Sequence, residues 1–386
     1  MGVAIPVLLA AIFVVDVAAR FVPVDPLTFR AWEALSRYRP PGAAFEPNRR
    51  YVRDWSYGDA AAMGNLPDLR QYRPEAFTTD ARGFRNAGIA SEHTPTAILA
   101  GDSFAVGSGV EDGATLSTAL SGALSCTVYN AAGVPPDPDR LRALARDLGM
   151  RRGLVLHAYA EEVVPPSVPT STKRALNRRI VDASSTVGRL AGLARGFVLV
   201  SPLRIASEKA IKQISNDSIL PNAYAAHVVR GRLTNGDAML FVASKLDYVR
   251  SRRTASAEYW TWLQRELRAD DLELLVVLVP SKYTVYRSML VEPAERDHDQ
   301  RNFLGTLEDA LAAAGVPVIN LTLPLAREAA RRVDAHEYLY WRDDIHWNRE
   351  GIRVAASTIV QHPSLALPDC NRRQATAARQ PSTAQN

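Results

Sequence analysis

At 386 residues the chain can bury a sizeable core, and 47% hydrophobic with 23% charged residues is the composition of a packed globular protein. Lys+Arg outnumber Asp+Glu by 46 to 41, a net +5, with no long basic run or basic helix with interleaved aromatics, which speaks against nucleic acid as a partner. Two cysteines, Cys126 and Cys370, exclude a disulfide framework and a CxxC zinc site, and leave room for one bridge in an oxidising compartment.

Residues 2–15 (GVAIPVLLAAIFVV) form an uncharged apolar run, interrupted by Asp16 and closed by Arg20. Fourteen helical residues reach roughly 21 Å, and extension to Val24 would span a bilayer core. The readings are a membrane anchor, a signal peptide with Val17-Ala18-Ala19 before the cut, or a buried core helix. Arg20, Arg30 and Arg37 follow the run and none precedes it, opposite to the positive-inside pattern. Residues 25–90 lack sustained periodicity and read as an extended lead-in with short strands.

From residue 91 the pattern changes. Unalternating apolar runs at 96–100, 126–130, 153–159, 272–279 and 316–321 are separated by amphipathic stretches such as 137–149 and 301–314. Such runs suit strands buried on both faces of a parallel sheet, which predicts a doubly wound α/β domain over 91–370 with sites at the carboxyl ends of its strands. An insertion at 163–255 carries basic stretches (173–181, 204–213) and Asn235-Gly236, a hairpin-turn signal. It reads as a lid, a partner-docking element or an inert excursion. Residues 371–386 are polar and are expected to be a disordered tail.

The first apolar run ends in Gly101-Asp102-Ser103. A serine at a sharp strand-to-helix turn displays its hydroxyl beside free backbone N–H groups, the arrangement of a nucleophile with an oxyanion donor. The plainer reading makes Asp102 and Ser103 ordinary N-cap residues. Near the other end stands Tyr340-Trp341-Arg342-Asp343-Asp344-Ile345-His346-Trp347-Asn348. A carboxylate two or three residues before a histidine can orient the imidazole toward a serine, and histidine titrates near neutrality, as a proton shuttle requires. The alternative is a surface histidine at a helix start.

Gly101-Asp102-Ser103, Asn130-Ala131-Ala132-Gly133 and Asp-x(1–2)-His346 resemble, in their usual order, the blocks of the SGNH/GDSL hydrolase superfamily. Thr78–Asn86, Val279–Tyr286 and Tyr340–Asn348 are similar more particularly to the alginate O-acetyltransferase (AlgX/AlgJ-type) branch. The resemblance covers roughly 75–362. It implies a three-layer α/β/α fold around a mainly parallel five-stranded sheet. It also implies a catalytic set of Ser103 as nucleophile, His346 as base, and Asp343 or Asp344 as acid, the branch's spacing favouring Asp344. The amides of Ser103 and Gly133 become the oxyanion donors. The third block departs from the superfamily: Ala160-Glu161-Glu162 stands where an Asn side chain usually donates, and an ionised carboxylate has no proton to offer. Glu161, Lys282, Tyr286 and Trp347 are candidates for substrate contact, with surface or packing roles as the alternatives. His157 reads as a core histidine, and Asn216-Asp217, with no buried strand before it, as a decoy.

The expectation is an exported serine O-acyltransferase, acetylating an exopolysaccharide or other glycan from an acyl donor, with no cofactor or metal. It would be anchored in the inner membrane by residues 1–24 and face the periplasm, or be periplasmic after cleavage, alongside other polysaccharide-assembly proteins. A carbohydrate esterase and a non-catalytic polysaccharide-binding subunit are the alternatives. In an exported protein Cys126, at the second sheet strand, and Cys370 would form a bridge.

Overall fold

The computed structural model describes residues 4–20, 30–36, 39–64, 66–87, 94–169, 201–203, 206–207, 210, 227–291 and 303–365. Helices α1 (Ala4–Ala19) and α2 (Ala31–Leu35) are followed by β1 (Arg50–Ser56), α3 (Asp59–Met63) and β2 (Arg73–Thr78). The main sheet begins with β3 (Ala97–Gly101), followed by α4 (Ser103–Val106), α5 (Leu116–Leu124), β4 (Val128–Asn130), α6 (Pro138–Asp147) and β5 (Gly153–Ala160). Then come β6 (Val228–Arg232), β7 (Ala238–Val242), α7 (Ala243–Arg250), α8 (Glu258–Arg268), β8 (Leu272–Val279) and α9 (Lys282–Tyr286). Helix α10 (Phe303–Ala313), β9 (Val318–Asn320), α11 (Thr322–Arg332) and α12 (Arg349–Gln361) complete the chain.

All four pairings of the five-stranded sheet are parallel, in the order β4-β3-β5-β8-β9. Every residue of β3 is buried, and β8 exposes only Glu273, which is why these strands read as apolar runs without alternation. The chain steps outward from β3 to β4 and then crosses back to β5, β8 and β9. With that order, crossovers of the right-handed kind that parallel strands favour put helices on both faces. Helix α5 packs with α12, and α8 packs on β8 and α6. Connections leave β3 and β5 in opposite directions, so the crevice that this topology favours for ligands lies at their carboxyl ends.

The lead-in is more structured than its sequence suggests. Strands β1 and β2 form an antiparallel ribbon with Tyr51 opposite Phe77, both buried. Arg85, also buried, bonds the carbonyls of Ala76, Gly107 and Val110 and the carboxylate of Asp112, tying the ribbon to the turn after α4. Within the insertion, Asn235-Gly236 forms the predicted turn between β6 and β7, with Gly236 at φ +88°. The stretch 173–181, most of 204–213, Asn216-Asp217, Cys370 and the tail 371–386 lie outside the described residues. Cys126 is disulfide-bonded. Helix α1 has 16 residues, and among the described residues no helix is long and apolar enough to cross a membrane.

Gly101 ends β3 at φ +154°, and a Cβ there would stand 2.5 Å from the Ala158 carbonyl oxygen of neighbouring β5. Gly101→Ala is therefore expected to destabilise the fold by about 2–3 kcal/mol, read as a lowered denaturation midpoint at unchanged m-value.

Candidate active site

Past Gly101 the chain turns sharply into α4. Asp102 is its N-cap, accepting from the Phe104 amide at 2.9 Å. Ser103 occupies the first helical position, where a backbone N–H has no intrahelical acceptor. The aspartate is the cap, and the serine side chain takes no part in capping. Ser103 is half-buried and lines an open cleft of about 840 Å³ together with His346, Asp59, Gly133 and His157.

The histidine arrives on a tight loop. Tyr340 and Trp347 pair across its base, and the Trp341 amide donates to the His346 carbonyl at 3.2 Å. Inside the loop lies the fully buried ammonium of Lys282, which donates to the carbonyls of Trp341, Arg342 and Asp344 at 3.2, 3.3 and 2.6 Å. From this loop His346 Nε2 sits 2.7 Å from Ser103 Oγ, and its Nδ1 sits 2.8 Å from Asp344 Oδ1. The Phe104 ring, 5.0 Å from the imidazole and 5.5 Å from the Trp347 ring, fills the apolar space between them.

Asp344 is fully buried, and its other oxygen accepts from Arg73 at 2.9 Å and from Arg30. Burial alone would push its pKa up, but the charges of Arg30, His346 and Arg73 hold it well below the usual carboxylate range. Burial likewise pulls His346 down, and the Asp344 charge and hydrogen bond outweigh it, leaving the imidazole above its ordinary value. Asp59 sits beside the pair, 2.7 Å from Arg30 Nε and 3.6 Å from His346 Nδ1, and burial raises its pKa. Donor atoms of Asp59, Asp344 and His346 lie within 4.8 Å of one another, the spacing of a metal cluster. Arg30 and Arg73 already supply the countercharge there.

Asp343 does something else. One oxygen accepts from the amides of Gly58 and Gln71 at 2.6 and 2.8 Å, the other from Arg73 at 2.9 Å. It ties the loop to the lead-in, while Asp344 reaches the histidine. Three more expectations are corrected. The Gly133 amide donates to the Gly101 carbonyl at 2.9 Å and is spent as an oxyanion donor. Glu161 is buried, accepting from the Ser281 amide at 3.0 Å, from Thr284 Oγ1 at 2.6 Å and from Arg253 at 3.3 Å. Lys282, Tyr286 and Trp347 are buried as well: the Tyr286 hydroxyl accepts from the Leu339 amide at 2.8 Å, and Trp347 packs under the site. None of these four lines the cleft.

Arg30, Asp59 and Arg73 were missed because their segment has no periodicity and Arg30 lies 314 positions from Asp344. The faint signal was an excess of arginine ahead of the sheet.

Residues 236–386, less than half of the chain, match the family model described as ALGX, the SGNH hydrolase-like domain of the acetyltransferase AlgX. The match includes Asp344 and His346 and leaves Ser103 outside. No curated protein matches. A crystal structure of protein YXIM from Bacillus subtilis aligns over 78% of this chain and 60% of that one, at 10% identity and a TM-score of 0.32, too low to carry weight.

Removing the ammonium inside the loop leaves the Asp344 carbonyl without its donor and takes one of two donors from the carbonyls of Trp341 and Arg342. Lys282→Met is expected to cost about 3 kcal/mol of stability, measured by urea denaturation.

Proposed function

We propose, from the premise that residues 236–386 form an SGNH hydrolase-like domain of the AlgX acetyltransferase kind, that this chain is a serine-dependent O-acyltransferase. The observation that carries the reading is the continuous hydrogen-bonded chain Ser103–His346–Asp344 at the cleft wall, 2.7 and 2.8 Å per link. His346 Nε2 takes the Ser103 proton as Oγ attacks the carbonyl carbon of an acyl donor. The Ser103 amide faces the developing oxyanion, the leaving group takes the proton, and an acyl-Ser103 ester remains. An acceptor hydroxyl then surrenders its proton to His346 and attacks the ester, releasing Ser103. Water in place of that hydroxyl gives the esterase reaction.

A glycan hydroxyl is the acceptor we favour, with acetyl as the acyl group, on the family match. Membrane or periplasmic placement belongs to the same proposal. It is supported by the apolar α1, whose Leu8 and Leu9 are each 61% exposed, and by the disulfide-bonded Cys126, which suits an oxidising compartment.

The test is acetyl transfer from a chromogenic acetyl ester to oligosaccharides, followed by mass spectrometry with Ser103→Ala as control. Acetylated sugar that vanishes in the variant is expected; turnover that survives it defeats the reading, and free acetate without acetylated sugar makes the protein an esterase. The two aspartates separate in the same assay. Asp344→Asn is expected to lower kcat/KM by on the order of 10³-fold or more, whereas Asp343→Asn lowers chiefly the melting temperature.

The pH profile has a definite sign. His346 accepts a proton only when neutral, so kcat/KM falls as pH drops through its pKa, which lies above the ordinary histidine value. Arg30 pulls that pKa down, so Arg30→Met is expected to move the acid limb to higher pH. The expected shift is read from a kcat/KM titration.

A further inference from the structure

One buried imidazole at the cleft is unused by this mechanism. His157 lies in β5 beside Ala100 of β3, is 4% exposed, and lines the cleft into which Ser103 opens. Trp260 of α8 donates its Nε1–H to His157 Nδ1 at 3.0 Å. An indole nitrogen donates and never accepts, so Nδ1 is the acceptor and the neutral ring carries its hydrogen on Nε2. Burial pulls the pKa down to about 4, which keeps the ring neutral across the physiological range. The rings of Tyr259 and Trp260, 6.3 and 6.2 Å away, hold its orientation. Among the described residues no acceptor takes the Nε2–H. His157 is therefore no second base: one nitrogen is occupied and the other is protonated.

Two donors expected at the cleft are missing. The Gly133 amide is spent on Gly101, and the third block offers Glu161, a carboxylate bound to Arg253, in place of an amide side chain. The cleft wall carries the apolar Val134, Pro135, Val164 and Pro166 as well as the polar Ser36, Arg39 and Ser108. A buried donor whose tautomer and ring orientation are fixed orients what binds, and leaving it unpaired disfavours ligands without an oxygen to meet it. We propose that His157 Nε2–H is a substrate-positioning donor that holds an oxygen acceptor of the bound acyl ester. The identity of the ligand rests on the acyl-transfer reading; the tautomer does not.

The test uses the full chain with ¹⁵N-labelled histidine. Between pH 5 and 8 the His157 imidazole is expected to show an unprotonated Nδ1 and a protonated Nε2, and Trp260→Phe is expected to mix the tautomers. Titrating ethyl acetate into Ser103→Ala is expected to shift the Nε2–H resonance. In kinetics, His157→Phe is expected to raise KM for an acetyl ester about tenfold with little change in kcat or in the acid limb. His157→Gln, which keeps an N–H donor, is expected to recover most of that loss. An unprotonated Nε2, an unshifted resonance, or a folded His157→Phe variant with unchanged KM would overturn the proposal. A wild-type protein inert toward acetyl esters defeats the acyl-transfer reading instead, and the resonance shift still decides the role of His157.

Discussion

A single buried carboxylate organises this molecule. Asp344 has no contact with solvent, and a bare carboxylate in that position would cost several kcal/mol or take up a proton. It stays ionised because Arg30, Arg73 and His346 surround it. Two of those partners come from the lead-in and the third from its own loop. The lead-in thus closes the charge balance of the site and cannot be a mere tether. Breaking a buried arrangement of this kind by removing one partner costs about 3–5 kcal/mol, since the remaining charge is left uncompensated.

The same constraint explains the division of labour between adjacent aspartates. Asp343 accepts from the amides of Gly58 and Gln71 and so fixes where the loop sits; Asp344 accepts from the imidazole and so fixes how His346 is turned. Lys282 fixes the loop's internal shape by gathering its carbonyls, and the β6–β7 hairpin braces it from outside, with the Leu240 amide bonded to the Arg342 carbonyl at 2.8 Å. Rigidity of this sort lets Nε2 meet the serine oxygen while Nδ1 keeps its carboxylate, which the proposed proton transfer requires.

Much of this was legible in the sequence, and the reason is local. Strand runs 153–159 and 272–279 announced themselves because strands buried on both faces tolerate only apolar side chains. Ser103 and His346 stood out because each sits in a short segment whose own turn chemistry displays it. Substrate contact was misassigned to Lys282, Tyr286 and Trp347 for a related reason. Polar and aromatic residues after a strand look like a site lining, and nothing in their spacing says whether they face the cleft or support its loop from behind.

The sequence by itself determined the order of the strands' segments, the parallel α/β class and the Asn235-Gly236 turn, and it singled out Ser103 and His346, because periodicity and turn chemistry act over a few residues. Only the tertiary structure decided that Asp344 rather than Asp343 meets the imidazole, that the Gly133 amide is spent, and that Arg30, Asp59 and Arg73 belong to the site. It also showed that the excess of arginine noted at the outset includes two guanidiniums drawn inward among the carboxylates of Asp59, Asp343 and Asp344. Those outcomes depend on long-range pairing of charges and donors under burial, and spacing along the chain does not encode which partner a buried group will find.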